Sequence, residues 1–126
     1  MLRQRNELPI LRGMEIIDPK KPARWTHMTV RIELPDTPEG DYARLHADMH
    51  EAGFSRIITS GEGRSFHLPH ATYNKRVRGM SYKEARDAAV VIARHSHPEP
   101  RVLVIAGPRA WSGLKPVTAA NPDPDA

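Results

Sequence analysis

The chain of 126 residues contains no cysteine. Disulfides, thiolate zinc sites, iron–sulfur ligation and cysteine nucleophiles are therefore excluded. Long apolar runs are also missing, since each spans only a few residues, far fewer than the ~20 needed to cross a bilayer. No apolar stretch follows the arginines near the N-terminus. We therefore expect no secretory signal, no membrane contact and a cytoplasmic location.

Arginine dominates the charge. Of the 19 basic residues 14 are arginine, and with 15 acidic residues the net charge is +4. A planar guanidinium suits phosphate recognition. Basic residues concentrate just after the middle of the chain, at Arg64, Lys75, Arg76 and Arg78. With Tyr73 beside them to stack a base, they form the predicted nucleic-acid-binding surface. A solvated basic loop is the alternative interpretation.

Apolar periodicity predicts the first half of the fold. Residues 28–34 alternate apolar and polar side chains, which is typical of a half-buried strand. The spacing of Tyr42, Leu45 and Met49 then predicts a helix that ends at Gly53. A short β-rich run follows.

The second half is again predicted to contain a strand, a helix and a strand. A strand is predicted within residues 64–77, with a break or bulge at Pro69. Ser81 and Glu84 have the spacing of a capping box, so a second helix begins there and runs to about residue 95. An apolar run at 102–106 forms the last strand.

The order of elements is βαββαβ, which predicts an α+β protein with a ferredoxin-like sandwich. Two helices would cover one face of a four-stranded antiparallel sheet. The last strand would lie at an edge and is apolar on both faces, so we expect a homodimer partner or the N-terminal arm to cover it. The predicted divisions are a partly flexible arm (1–27), the ferredoxin-like domain (28–117) and a disordered tail (118–126).

Histidine offers chemistry that cysteine cannot supply here. His67 and His70 flank a Leu-Pro pair, and two imidazoles near a phosphodiester can act as general acid and base; solvated loop histidines are the alternative. His46 and His50 have an i, i+4 spacing that zinc can use, but no third ligand is obvious, and a polar helix flank is favoured. Asp36 is favoured as a turn residue over a magnesium ligand. No metal and no cofactor are predicted.

Several segments resemble one protein family. They are the strand Thr29–Leu34, the helix and glycine turn at 42–54, the run Arg56-Ile57-Ile58, and Leu-Pro-His-Ala-Thr-Tyr at 68–73. Over about residues 28–106 the chain resembles the GhoS-type endoribonuclease antitoxins of type V toxin–antitoxin systems, small proteins often carried by prophages. The resemblance implies a ferredoxin-like fold, similar to small CRISPR-associated nucleases, and cleavage of a toxin messenger RNA. The family's basic positions on the first helix fall on Arg44 and on His46, where the family has arginine.

The leading hypothesis is a small RNA-binding protein. The resemblance implies that it is also a metal-independent endoribonuclease. In that hypothesis Arg44 contacts the scissile phosphate, and His46 transfers protons with His67 or His70. The alternative is a non-catalytic phage accessory protein that binds and inhibits another protein, such as a host-defence component. Its edge strand or arms would form that interface.

Overall fold

Two helices and a three-stranded antiparallel sheet form most of the fold. The computed structural model describes residues 24–126 and, before them, only two short strands at 10–12 and 15–17. In chain order the elements are β1 (Ile10–Arg12), β2 (Glu15–Ile17), β3 (Thr26–Glu33), a 3-10 turn (Glu39–Asp41), α1 (Ala43–Glu51), β4 (Ile57–Thr59), β5 (Ser65–His67), β6 (Thr72–Val77), α2 (Tyr82–Ala93) and β7 (Arg101–Ala106). The predicted α+β class is confirmed.

The N-terminal arm is described only in part. Strands β1 and β2 pair antiparallel with each other. The partial flexibility predicted for the arm over 1–27 stays a prediction, since residues 1–9, 13–14 and 18–23 of it lie outside the described residues.

Strand β3 is the centre of the main sheet, whose order is β6-β3-β7. The predicted alternation along β3 is confirmed, because Met28, Val30 and Ile32 are buried whereas Arg31 and Glu33 are exposed. Both helices pack on the buried face and join it in one apolar core. The opposite face, here called the open face, carries the exposed Leu103 and Ile105 of β7.

Each helix forms where the sequence predicts it. Helix α1 buries Leu45 and Met49, and the chain reverses at Gly53, whose φ of +92° favours glycine. Helix α2 has the predicted capping box: the Ser81 hydroxyl accepts from the Glu84 N–H at 3.2 Å, and the Ser81 N–H donates to the Glu84 carboxylate at 3.0 Å. Neither helix of this described part is long and apolar enough to cross a membrane.

The predicted break at Pro69 is confirmed. Strand β5 lies before it and pairs with β4 as a separate hairpin, whereas β6 lies after it and pairs with β3. Ala71, with a φ of +55°, turns the chain into β6. One segment of sequence therefore supplies strands to two different sheets.

The main sheet has three strands, so the predicted number of four is wrong. The chain before β4 touches the sheet at one backbone pair, in which Ser55 and Asn74 exchange hydrogen bonds of 2.8 and 2.9 Å. Beyond it, the Asn74 side-chain amide donates to the Ile57 carbonyl at 3.0 Å. In a regular sheet the Ile57 carbonyl would accept a hydrogen bond from the backbone of the neighbouring strand. Here the Asn74 side chain satisfies that carbonyl, and β4 pairs with β5.

The C-terminal segment returns along the hairpin. Its backbone hydrogen-bonds to β5 on both sides of Pro116. Near the end, the Asp125 carboxylate accepts two hydrogen bonds from the Arg56 guanidinium, at 2.7 and 3.1 Å. Composition predicts a disordered tail over 118–126. It cannot reveal that one carboxylate there meets a matching guanidinium on the folded domain.

Candidate nucleic-acid interface

The face of the sheet opposite the helices mixes basic, polar and apolar side chains. Directly opposed residues of antiparallel strands share a face. His27 therefore lies beside Arg76, and Thr29 lies between Asn74 and Ile105. His27 and Arg76 lie at one end of this face, β7 presents the exposed Leu103 and Ile105, and Arg101 of β7 pairs with Glu33 at the other end.

Arg109 extends onto this face from the segment that follows β7. The Gly107 N–H donates to the His27 carbonyl at 3.0 Å, and the Gly107 φ of +127° turns the chain back over the sheet. Arg109 Nη1 then donates to Asn74 Oδ1 at 2.6 Å, and Nη2 lies 3.4 Å from His27 Nε2. The sequence pattern does not predict Arg109 as a site residue. The only signal next to it is the Gly-Pro pair that ends the last strand.

A cavity of about 300 Å³ beside β6, here called the basic cavity, has a cationic lining drawn from both faces of the sheet: Arg76 comes from the face opposite the helices, whereas Lys75, which opposes Met28, comes from the helix side. Its lining residues are His27, Gly53, Ser55, Ile57, Thr59, Asn74, Lys75, Arg76 and Arg109. These described lining residues include no carboxylate. Three permanent cations around a cavity without a counter-charge in its lining favour an anionic ligand.

Neutral groups hold two of these cations in place. Lys75 Nζ donates to the Ala52 carbonyl at 2.8 Å and lies 5.3 Å from the centre of the Phe54 ring. The Arg76 guanidinium lies 4.8 Å from the centre of the Trp25 ring. Carbonyl dipoles and aromatic faces orient a cation without cancelling its charge, so that charge remains available to a ligand.

The electrostatics of the basic cavity agree with this interpretation. Burial lowers the pKa of Arg109. The pKa of His27 is lowered mainly by burial and further by the charges of Arg109 and Arg76. His27 is therefore a neutral imidazole near pH 7, able to donate or accept a hydrogen bond. A bound phosphate would favour the charged form of each group.

Two of the five predicted nucleic-acid-binding residues, Lys75 and Arg76, line the basic cavity. Tyr73 is 0% exposed, so its ring packs in the core and offers no face to a base. Arg64 lies on the hairpin, where its guanidinium is 5.3 Å from the centre of an aromatic ring of β5. Arg78 follows β6 and is outside the lining of the cavity.

His46 and His70, two of the four predicted catalytic residues, are neighbours in an aromatic cluster between α1 and the sheet. Their ring centroids are 5.9 Å apart, and His70 packs edge-on to Tyr42 at 4.5 Å. His46 Nδ1 hydrogen-bonds to the Tyr73 hydroxyl at 2.7 Å. The structure thus brings together two imidazoles that are 24 residues apart in the sequence.

The other two predicted catalytic residues have their contacts elsewhere. Arg44 is exposed on α1, with Nε 3.6 Å from Asp48 Oδ2. His67 lies on β5, and its Nε2 donates to the Asn121 carbonyl at 2.9 Å. The four side chains therefore do not converge on one reacting atom.

The ionisation of His46 limits its use in proton transfer. The pKa of His46 is lowered to about 4, mainly by burial and then by the charges of Arg56 and His70, against a smaller opposing effect of Asp125. Burial raises the pKa of Tyr73. At neutral pH the imidazole is uncharged and the phenol protonated, so His46 has no imidazolium proton to donate as a general acid.

The described residues offer no assembled metal site. Within 24–126, no group of three or more histidine, aspartate or glutamate side chains is placed to hold an ion. His50 is exposed, while His46 is bonded to Tyr73. Asp36, with a φ of +57°, lies in a turn after β3. That the protein uses no metal stays a prediction.

Comparison with known proteins finds no relative. No protein-family model matches the chain, and neither a curated protein nor a solved structure matches it. The resemblance to GhoS-type antitoxins therefore stays a prediction, and function has to be argued from the geometry.

Proposed function

We propose that this protein binds single-stranded RNA on the open face of its sheet, with the basic cavity holding the phosphate backbone. The observation that carries this proposal is the arrangement of Lys75, Arg76 and Arg109 around a cavity where no described lining residue is a carboxylate. Contacts of this kind supply most of the sequence-independent affinity of proteins for nucleic acids, and they make that affinity depend on salt.

The basic cavity is organised without a ligand. Asn74 accepts a hydrogen bond from Arg109 and donates one to the Ile57 carbonyl, so both polar atoms of its amide are used. Lys75 is fixed by the carbonyl of Ala52. Side chains that are already ordered lose less conformational entropy on binding, which favours tighter binding of an anionic ligand.

The open sheet favours a single strand over a duplex. Leu103 and Ile105 are 58% and 57% exposed on this face, where the unstacked bases of a single strand can contact them. A duplex would keep its bases out of reach. Ser55 and Thr59 line the basic cavity. The Ser55 hydroxyl already accepts from the Ile57 N–H at 3.1 Å and the Thr59 hydroxyl is bonded to the Ser65 hydroxyl at 2.8 Å, so a 2′-hydroxyl, the group that distinguishes RNA from DNA, would use their remaining bonding capacity.

A ferredoxin-like layout is part of the proposal. It is supported by the strand order β6-β3-β7 and by the Ser55–Asn74 pair, which would join β4 to the sheet beyond β6. The order β4-β6-β3-β7 is the one expected of a βαββαβ chain with two central strands. A toxin messenger RNA as target rests on the resemblance alone.

Binding without cleavage has the better geometric support. Only His46 and His70 of the predicted catalytic set are neighbours, and the pKa of His46 is about 4. Cleavage in the presence of EDTA that is lost in H46N would restore the endoribonuclease hypothesis.

The proposal is tested by titrating a labelled RNA of about ten nucleotides and following fluorescence anisotropy. We expect Arg109→Gln and Arg76→Gln each to weaken binding about tenfold, as when a charged hydrogen bond is lost. Each variant should also reduce the slope of log K against log salt by about 0.7, the value for one phosphate contact of a single strand.

The matched control is Arg94→Gln, which removes one positive charge from the exposed end of α2. It should leave both affinity and slope unchanged. Equal weakening by all three variants would mean that net charge alone attracts the RNA, and no binding by the unaltered protein would overturn the proposal.

A second candidate function is self-association. Strand β7 lies at the edge of the sheet, and its exposed Leu103 and Ile105 favour a contact with a second copy through antiparallel addition of one β7 to the other. Such a pair would join two sheets into one, with both open faces on the same side.

A further inference from the structure

A second cavity, here called the apolar cavity, lies beside the basic cavity. Its volume is about 370 Å³, and its apolar lining includes Leu68, Pro69, Ile105, Trp111 and Leu114. Small-ligand pockets usually measure about 300–1,000 Å³. A flat ring system of modest size would therefore fit it.

The two cavities share one side chain. Arg109 lines both of them, with one guanidinium nitrogen 2.6 Å from Asn74 on the basic side. On the other side, the guanidinium lies 6.0 Å from the centre of the Trp111 ring. A ligand that occupies both cavities must therefore pass Arg109 and present a negative group on one side and an apolar group on the other.

Trp111 is fixed in the wall of the apolar cavity. Its ring packs edge-on to Phe66, with centroids 5.9 Å apart. The segment that contains it is attached at both ends, by the Gly107 N–H to β3 and by backbone hydrogen bonds to β5 around Pro116. An immobilised indole next to an arginine is a suitable surface for stacking a base.

We infer that the two cavities together bind one nucleotide unit of the RNA, with the base against Trp111 in the apolar cavity and the phosphate at Arg109 in the basic cavity. This inference rests on the proposed RNA binding and adds the recognition of a base to it. A sugar phosphate would leave the apolar wall unused, and a simple aromatic compound would leave the cations unpaired. A nucleotide satisfies both sides.

The test uses the fluorescence of Trp111 in a Trp25→Phe background, where it is the only tryptophan. The probes are an oligoadenylate, an oligouridylate and an abasic ribose-phosphate strand of equal length. We expect quenching by the two strands that carry bases and none by the abasic strand, because only a base can stack on the indole. Equal quenching by all three would overturn the inference.

Affinity measurements separate the inference from the function on which it rests. Trp111→Leu should weaken binding of the base-carrying strands about tenfold, within the range for one lost stacking contact, and leave binding of the abasic strand unchanged. Trp111→Phe, which keeps an aromatic ring, should recover most of the loss. Arg109→Gln should weaken binding of all three strands.

The failures can be told apart. If Trp111→Leu binds every strand as the unaltered protein does, the proposed base site is refuted, whereas binding of the phosphate backbone by the basic cavity is not. If no strand binds at all, both are refuted. Thermal unfolding of Trp111→Leu checks that the variant is folded, and the quenching experiment needs no change in either wall of the apolar cavity.

Discussion

Asn74 shows how much one side chain can determine. Its backbone pairs with Ser55, its amide nitrogen bonds the Ile57 carbonyl, and its amide oxygen accepts from Arg109. One residue thereby ends the ladder beyond β6, positions β4 and orients a cation of the basic cavity. Nothing in the local sequence around an asparagine indicates three such partners, since all three are distant in the chain.

His46 is a residue whose ionisation should appear in the stability of the protein. Its pKa is about 4 in the folded state and 6.5 for the unperturbed side chain. Between these values the unfolded state binds more protons, so the free energy of unfolding falls as the pH is lowered from about 6.5 to about 4. His27, whose pKa is also lowered, acts in the same direction.

We expect His46→Asn to flatten this pH dependence in urea titrations between pH 7 and 4. Asparagine can place a polar atom near the former Nδ1 and keep the bond to the Tyr73 hydroxyl, but it does not titrate. His50→Asn, on the exposed side of the same helix, is the matched control and should leave the slope unchanged. An unaltered slope in His46→Asn would show that His46 titrates normally.

At the scale of the elements, the local sequence pattern predicted correctly those features that lie within a single element. The alternation in β3, the capping box of α2 and the break at Pro69 were all predictable, because each depends on residues within a few positions of one another. The number of strands in the sheet was not. It depends on whether residues 57–59 pair with β6 or with β5, and the Asn74 amide and the hairpin turn together favour β5.

Strand β7 is the element whose exposure calls for a partner. If two copies join through β7, the protein should be a dimer by light scattering at micromolar concentration. Leu103→Lys should convert it to a monomer, because a lysine on an edge strand opposes strand addition. Val91→Lys places the same charge on an equally exposed apolar site of α2, 60% exposed, and should leave the dimer intact.

A monomer at every concentration in the unaltered protein would refute the self-association. Dissociation by both lysine variants would instead indicate a general charge effect rather than a contact at β7.

On the scale of the whole molecule, the C-terminal segment joins parts that the elements alone would leave separate. After β7 it places Arg109 against Asn74, then pairs with β5 around Pro116 and ends with Asp125 on Arg56. The pKa of Asp125 is lowered chiefly by its hydrogen bond with Arg56. This segment contributes lining residues to both cavities. Its attachment therefore affects ligand binding as well as stability.

We expect Asp125→Asn to lower the free energy of unfolding by about 2 kcal/mol, the scale of a hydrogen bond to a charged group. The tail should also become more accessible to proteolysis, since its anchor is lost. Asp87→Asn disrupts an exposed ion pair with Arg86 and should change the free energy by less than about 0.5 kcal/mol. Equal effects of the two substitutions would mean that the Arg56–Asp125 pair contributes no more than a surface pair.

The two helices, the buried face of β3, the helix start at Ser81 and the absence of any thiol chemistry follow from the sequence alone, because they depend on composition and on short-range periodicity. The candidate binding site does not. Arg109 and Asn74 are 35 residues apart, and Arg56 and Asp125 are 69 apart. Whether such residues meet is decided by how the chain packs, and the same packing buries Tyr73 while leaving Arg76 on the open face.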